Sequence, residues 1–308
     1  TNADELQIKI SQGAKPGEGG VLPAAKITPE IASTRKISMG RDCVSPPGHT
    51  AFGSPRGLCE YIAQLRDLSG GKPVGFKLCI GHPSEFLSVC KAMLETGILP
   101  DFITVDGGEG GTGAAPMEFS NSVGAPLKGG LMFVHNALVA TNLRDKIKIA
   151  ASGKVSSAFN IARNLAIGAD WCNAARGFMM AVGCIQAQTC HTNRCPVGVA
   201  TQDPLRQRAL DVTDKSERTF NFHKLTMETL SEVTAAAGLD HANEFRPWHV
   251  WLRVNRTRAL PYDEAFQFEQ PGALLNGTAK HKQLQRFWEA ISADTFVPNN
   301  VSGTYEGE

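Results

Sequence analysis

The sequence predicts an α/β protein with parallel strands. Three observations carry that prediction. Short runs rich in β-branched residues recur along the chain. Amphipathic helical stretches lie between them, so that from residue 74 the order is β, α, β, α, β, α, β. Strands alternating with helices leave the length of chain that a parallel crossover needs. Glycine clusters stand just past several of the strands, at the end where α/β folds bind ligands.

The first strand is QIKIS (7–11). SPRGLCEYIAQLRDLS (54–69) follows with apolar residues at 58, 61, 62 and 65, one face of a helix. VGFKLCI (74–80) reads as a strand and SEFLSVCKAMLETG (84–97) as a helix ending on glycine. DFITVDG (101–107) and residues 147–154 are the next strands, and SAFNIARNLAIGAD (157–170) repeats the helical pattern. WCNAARG (171–177) is a fifth strand, inferred partly from its place in the order. NFHKLTMETLSEVTAAAG (221–238) reads as a helix of about five turns at 3.6 residues each. Residues 1–204 form the α/β core. Residues 205–308 form a C-terminal extension packed on it, with a polar, Pro-dotted tail holding Trp248, Trp251 and Trp288.

A chain of 308 residues allows one large domain or two ordinary ones. Hydrophobic residues make up 42% and charged residues 20%, which fits a soluble protein with a full core. The net charge of +1 is spread along the chain and argues against broad nucleic-acid binding. No stretch approaches the ~18 apolar residues of a membrane span. TNADELQIKI has neither a basic leader nor an apolar h-region. Eight cysteines are too dilute for a secreted disulfide scaffold, so a reducing cytoplasm is expected.

Three glycine clusters are candidate ligand cradles: QGAKPGEGG (12–20), DGGEGGTG (106–113) and SGK (152–154). Glycine lets backbone N–H groups approach a ligand and adopts positive φ without penalty. One such cluster reads more simply as a turn; three at the same end of the strands favour function. Gly107, Gly110 and Gly111 belong to the second. SGK with AARG (174–177) suggests a phosphate grip. Its donors are backbone groups near Gly153, Ala175 and Arg176, with cationic help from Lys154 or Arg176. Lys77 sits inside an apolar strand. Its ammonium either reaches solvent or a carboxylate, or faces a ligand that accumulates negative charge, as a reduced flavin does.

Cys184, Cys190 and Cys195 lie within twelve positions, with gaps of five and four residues and a proline after the third. Disulfide pairing would leave one thiol odd. A structural zinc wants four ligands and favours shorter gaps, and His191 adjoins Cys190 too closely to complete the set without strain. Iron–sulfur clusters take thiolates from short loops, often ending in Cys-Pro. From the residues alone a cluster, zinc and plain core cysteines all stay open. Cys43, Cys59, Cys79, Cys90 and Cys172 are scattered and read as core residues.

The phrases QIKISQGAKPGEGG (7–20), SPPGH (45–49), FKL (76–78), GEGGTGA (108–114) and CIQAQTCHTNRCPVGVATQ (184–202) resemble the FMN-binding synthase domain of glutamate synthase. The resemblance runs from about residue 6 to about residue 204. It implies a (β/α)8 TIM barrel of the FMN-dependent type, of which this chain carries the fourth to eighth strands. It also implies a 3Fe–4S cluster on Cys184, Cys190 and Cys195 in the loop 184–195. FMN would lie across the strand ends, its ring contacted by Gln12 and Lys77 and its phosphate held by Gly153, Ala175 and Arg176. Lys15 and Glu18 would approach the substrate. The implied reaction passes a hydride from reduced FMN to 2-iminoglutarate, made from 2-oxoglutarate and ammonia, giving L-glutamate.

A ferredoxin or a flavin-bearing reductase subunit would donate electrons, and a homo-oligomer is expected. Other readings are an N-methylglutamate synthase type using another amine, or a cluster-binding electron-transfer fragment. The family's usual pattern has Asp at Glu109, His at Gly108, Asp-Gly-Gly at Ser152-Gly153-Lys154, and glycines and a serine within Asn173–Arg176. No glutaminase domain with an N-terminal cysteine is present, so the amine is expected from solution, another subunit or another donor. The first three barrel strands are expected from a preceding or separately supplied segment, sometimes membrane-associated in relatives.

Overall fold

The computed structural model describes residues 3–14, 20–111, 115 and 118–299. In chain order the strands are β1 (Leu6–Lys9), β2 (Val21–Leu22), β3 (Cys43–Val44), β4 (Val74–Leu78), β5 (Phe102–Asp106), β6 (Lys148–Ser152), β7 (Trp171–Asn173), β8 (Trp251–Arg253) and β9 (Ala259–Pro261). Five of them make one parallel sheet in the order β1-β4-β5-β6-β7. β2 with β3 and β8 with β9 form small antiparallel pairs. The helices are α1 (Pro29–Arg35), α2 (Pro55–Leu68), α3 (Pro83–Thr96), α4 (Leu127–Ala140), α5 (Ala158–Ala166), α6 (Arg176–Val182), α7 (Pro204–Gln207), α8 (Val212–Ala236), α9 (Tyr262–Ala265) and α10 (Lys282–Ala290).

Side chains alternate across a strand. Ile8, Val74, Phe76, Leu78, Ile103, Val105, Ile149 and Ala151 therefore take one face of the sheet and join α2 to α5 in a buried cluster. Each Leu, Ile or Phe fully buried there contributes roughly 1.5–3 kcal/mol. Gln7, Gly75, Lys77, Phe102, Thr104 and Asp106 take the other face, where Gln7 Nε2 donates to Thr104 Oγ1 at 2.8 Å. Gly75 is required there. A Cβ would lie 2.4 Å from the Phe102 carbonyl oxygen and 2.6 Å from its ring. Among the described residues, β1 and β7 each have a single strand neighbour, so the sheet is open at both edges.

Local chemistry sets the helix ends. Ser54 and Ser157 cap α2 and α5 by accepting from the amides of Gly57 and Asn160. Gly97, at φ 68°, closes α3 where the sequence placed its terminal glycine. α4 is the helix that the β, α, β order requires but the sequence reading does not locate. It is buried on most sides, so its polar face is too narrow to stand out.

Two boundaries differ from expectation. The fifth strand stops at Asn173, and Arg176 already begins α6. The helix expected at 221–238 begins at Val212, capped by Asp211, which accepts from Asp214 N at 2.8 Å. Its first turns carry exposed Val212 and Phe220 and no core-facing stripe, which hides them from a periodicity reading. The C-terminal tail is more ordered than its composition suggests. Lys91 of α3 donates to the carbonyls of Trp288 and Ile291 at 3.2 and 2.9 Å, fastening α10 to the helical layer. No helix among the described residues is long and apolar enough to cross a membrane.

His135 on α4 gives the fold a pH signature. Gly168 packs on its ring, where a Cβ would lie 2.4 Å from Nδ1, and Arg144 Nε donates to Nδ1 at 3.3 Å. Burial, helped by the charge of Arg144, pulls its pKa down to about 4. The unfolded chain takes up this proton near pH 6.5 and the folded chain only near 4, so stability falls as pH drops through that window. The loss is at most about 3 kcal/mol. Urea melts from pH 7 to 4 should show it, and His135→Gln should flatten that part of the curve.

Candidate functional site

The glycine clusters meet at the carboxyl ends of the strands. Gly13, just past β1, donates its amide to Asp106 Oδ2 at 2.9 Å. It lies so close to the next loop that a Cβ would stand 1.8 Å from the Gly107 oxygen. Gly107 N donates to Ser152 O at 2.8 Å, and Gly110 N to Gly107 O at 2.7 Å. A Cβ on Gly111, at φ 105°, would come within 2.2 Å of Ala14 Cβ, and one on Gly153, at φ 127°, within 3.0 Å of Gly107 N. Much of the close approach is thus loop on loop. Glu109 packs against Gly107, where a Cβ would lie 2.5 Å from its Oε2, and accepts from Leu127 N at 3.0 and 2.8 Å, starting α4.

Lys77 meets a carboxylate, one of the two roles open to it from sequence. Its Nζ is 4.0 Å from Asp106 Oδ2, and Asp106 is 6% exposed. Gln12 lies at the rim of β1 in a cavity of about 300 Å³ shared with Ser11, Ser45 and His49. Lys15 and Glu18 lie outside the described residues.

A second cavity, of about 170 Å³, collects much of the remaining candidate chemistry. Gly110, Gly111, Lys154, Arg176, Cys184 and Cys190 line it. Arg176 donates to the Gly111 carbonyl, and Lys154 Nζ donates to Asn121 Oδ1 at 3.4 Å. Ala175 precedes α6 and offers its first turn no side-chain cap. Gly183, at φ 111°, ends α6 and delivers Cys184, whose Sγ accepts from Gln186 N at 3.4 Å.

The cysteine loop has an unusual backbone. Gln186, Gln188 and Asn193 all hold left-handed φ, at 56°, 54° and 62°. Such conformations cost energy in residues with a side chain and tend to gather at functional sites. Asn193 is locked by its own bonds. Its Oδ1 accepts from Gln202 N at 2.7 Å, and its carbonyl from Thr201 Oγ1 at 2.6 Å. Cys195 is 7% exposed. Burial disfavours its thiolate, but the amides of Ala200, Val197, Val199 and Gly198 together outweigh that and hold the thiol below its ordinary pKa.

The scattered cysteines behave in the opposite way. Burial pushes Cys59 and Cys172 up to about 11 and Cys79 up to about 12. These three are inert thiols, as expected, whereas Cys43, also expected in the core, sits half-buried in the small β2–β3 pair outside it. Cys184 and Cys190 share a cavity, whereas Cys195 does not line it. No group of three or more His, Cys, Asp or Glu side chains among the described residues is gathered closely enough to hold a metal ion.

The family described as "Conserved region in glutamate synthase" matches residues 1–240. The chain belongs to the glutamate synthase family. It is 44% identical over 248 residues to the glutamate synthase large subunit-like protein YerD of Bacillus subtilis, covering 80% of this chain and 47% of that protein. Identity to the archaeal NADPH glutamate synthase of Methanocaldococcus jannaschii is 35% over 242 residues, covering 78% and 47%. Identity to the ferredoxin-dependent glutamate synthase of Cyanidium caldarium is 38% over 254 residues, covering 79% and 16%. The chain spans less than half the length of each of these glutamate synthase relatives.

Two residues of this glutamate synthase family site escape the sequence reading. Asp106 ends an apolar strand one position over from the strand that carries Lys77. An acid and a base isolated in neighbouring apolar runs are the signal that could have paired them. Asn193 looks like an ordinary loop polar residue, and only its left-handed backbone and its bonds give it away.

Proposed function

We propose that this chain is the part of a glutamate synthase that binds FMN and an iron–sulfur cluster. The observation that carries the reading is the cavity shared by Gly110, Gly111, Lys154, Arg176, Cys184 and Cys190. It joins phosphate-binding chemistry to thiolate chemistry at the strand ends. Residues 1–204 hold this machinery, and residues 205–308 are its C-terminal extension.

The donor set fits a phosphate, whereas the three thiols are not gathered closely enough to hold a metal ion in this structure. Lys154 and Arg176 offer charge to a phosphate, beside the uncapped amides that follow Ala175 and the close backbone at Gly153. Against its burial, the amides of Ala200, Val197, Val199 and Gly198 lower the pKa of Cys195, which favours its thiolate form. Cys184, Cys190 and Cys195 are the proposed ligands of a 3Fe–4S cluster. Bound there, the flavin would supply the hydride that turns 2-iminoglutarate into L-glutamate, with electrons relayed through the cluster from a ferredoxin or a flavin-bearing reductase.

The chain's own residues prepare the site. Asp106 holds Lys77 and Gly13 together, which fixes a cation below the rim where Gln12 stands to meet the flavin ring. Lys15 and Glu18, in the loop after Gly13 and Ala14, are assigned to 2-oxoglutarate and its amine partner. The contacts of Gly13 with Gly107 and of Gly111 with Ala14 hold Gly13 and Ala14 at the strand ends.

Iron, acid-labile sulfide and FMN per chain, measured after anaerobic purification, test the proposal. All three are expected. Iron and sulfide without FMN would replace the proposal with a cluster-bearing electron-transfer role. Zinc in place of iron, or no metal at all, would overturn the cluster assignment.

A further inference from the structure

The C-terminal extension carries a basic and aromatic hairpin, outside the 1–240 segment that the glutamate synthase family matches. β8 and β9 pair antiparallel, with Trp251 opposite Pro261 and Arg253 opposite Ala259. Residues 245–262 hold Arg246, Arg253, Arg256 and Arg258, and no Asp or Glu. In a chain of net charge +1 that is a local concentration of charge. Arg246 Nη1 donates to the carbonyls of Asn243 and Phe245, both at 2.9 Å. Among the described residues none of the four arginines makes an ion pair.

Apolar surface accompanies the charge. Trp248 is 55% exposed, Trp251 63% and Val254 49%. Side chains alternate along β8, so Trp251 and Arg253 point outward together while Leu252 packs on the core. The tip is held in shape. Val254 N and Asn255 N donate to Arg258 O at 2.9 and 3.2 Å. Asn255 Oδ1 accepts from the amides of Thr257 and Arg258 at 3.0 and 2.9 Å. The base is fixed as well. Tyr262 N donates to Val250 O at 2.9 Å, and both side chains are buried. Like charges held near one another repel, and a tryptophan left in water gains nothing from burial. A rigid hairpin that keeps both suits a partner that is anionic and apolar at once.

We propose that the β8–β9 hairpin binds an anionic membrane surface, with Arg253, Arg256 and Arg258 at the headgroups and Trp248 and Trp251 at the water–lipid boundary. Tryptophan favours that boundary, where its ring meets acyl chains and its N–H stays wet. Each arginine near a negative lipid surface strengthens attachment roughly fivefold. Val254 has no ring to stack on a base, and a chain of net charge +1 lacks the strongly basic footprint of a nucleic-acid binder. Contact of this kind lies on the surface and needs no spanning helix. One small patch gives reversible attachment. The attachment requires neither flavin nor cluster.

The test measures co-sedimentation of the full chain with phosphatidylcholine vesicles, with and without phosphatidylserine. Binding is expected only with phosphatidylserine, and it should fall as salt is added. Tryptophan emission should shift to the blue on binding. Arg256→Gln with Arg258→Gln should weaken binding about 30-fold. Trp248→Ser with Trp251→Ser should weaken it several-fold and abolish the shift. All four side chains are exposed, so these variants should melt with the wild type. Arg218→Gln with Lys224→Gln removes the same charge from exposed positions of α8 and should bind like wild type.

No binding to phosphatidylserine vesicles overturns the proposal, and so does binding that the hairpin variants leave unchanged. Binding without a blue shift, untouched by the tryptophan variant, would make the patch a plain anion binder and overturn the lipid contact. Retention on polyglutamate or on single-stranded RNA, without vesicle binding, would assign the hairpin to an acidic protein or a nucleic acid instead.

Discussion

Cys190→Ser should strip the broad cluster absorbance from the purified protein while leaving the flavin bands, and bring iron and acid-labile sulfide down to background. Cys190 lines the cavity shared with Cys184 and the phosphate-binding candidates, and its carbonyl is held in place by Lys26. Removing the sulfur takes away a ligand while leaving that bond intact, so the loop should keep its shape. FMN should stay bound, since Lys154 and Arg176 are untouched. Cys172→Ser is the control. That thiol lies among core residues, hydrogen-bonded by Asn164 at 3.8 Å, and its loss should leave the iron count unchanged. Full iron and sulfide in Cys190→Ser would sink the ligand assignment.

Gly13→Ala should be among the most damaging single-methyl changes in the chain. The added carbon would lie 1.8 Å from the Gly107 oxygen and 2.8 Å from its carbonyl carbon, and neither is a flexible group that can move aside. Overpacking of this kind costs roughly 1–3 kcal/mol. The displaced loop would also withdraw the Gly13 amide from buried Asp106, and a hydrogen bond to a charged group contributes about 1.5–3 kcal/mol. A loss of about 3 kcal/mol in urea unfolding is therefore expected, together with weaker FMN retention. Gly53→Ala is the comparison. Nothing lies within 4 Å of a Cβ there, so it should stay within about 0.5 kcal/mol of wild type. Equal stability of the two variants would show that the two loops are not locked together.

The sheet was legible because its strands carry a dense β-branched signal and its helices a one-sided one. β4, β5 and β6 fall inside the expected runs VGFKLCI, DFITVDG and 147–154, each a little shorter than its run. α4 was not located, because a helix wrapped in core has no contrast between its faces. The candidate residues were read from spacing, and spacing does not fix contacts. It put Gly107, Gly110 and Gly111 beside a cofactor without foreseeing that Gly13 and Gly153 press on Gly107, or that a Cβ on Gly107 would meet Glu109 and Leu127 at the start of α4. It offered Lys77 two roles without naming Asp106. It singled out three thiols, but the amide turn around Cys195 and the grip of Lys26 depend on backbone directions that no residue pattern encodes.

The strand order has a kinetic side. β4, β5 and β6 each pair with the next strand in sequence, across one α-helix. β1 instead joins β4 after a detour through β2, β3, α1 and α2. Closing that longer loop costs only slightly more entropy than closing a short one. The strand nevertheless contributes few backbone bonds, and all of them go to one side. β1 is therefore an edge strand that can open as a small cooperative unit of its own. It is also the strand that leads to Gln12 and Gly13, so the rim of the site is hung on edge amides of the sheet.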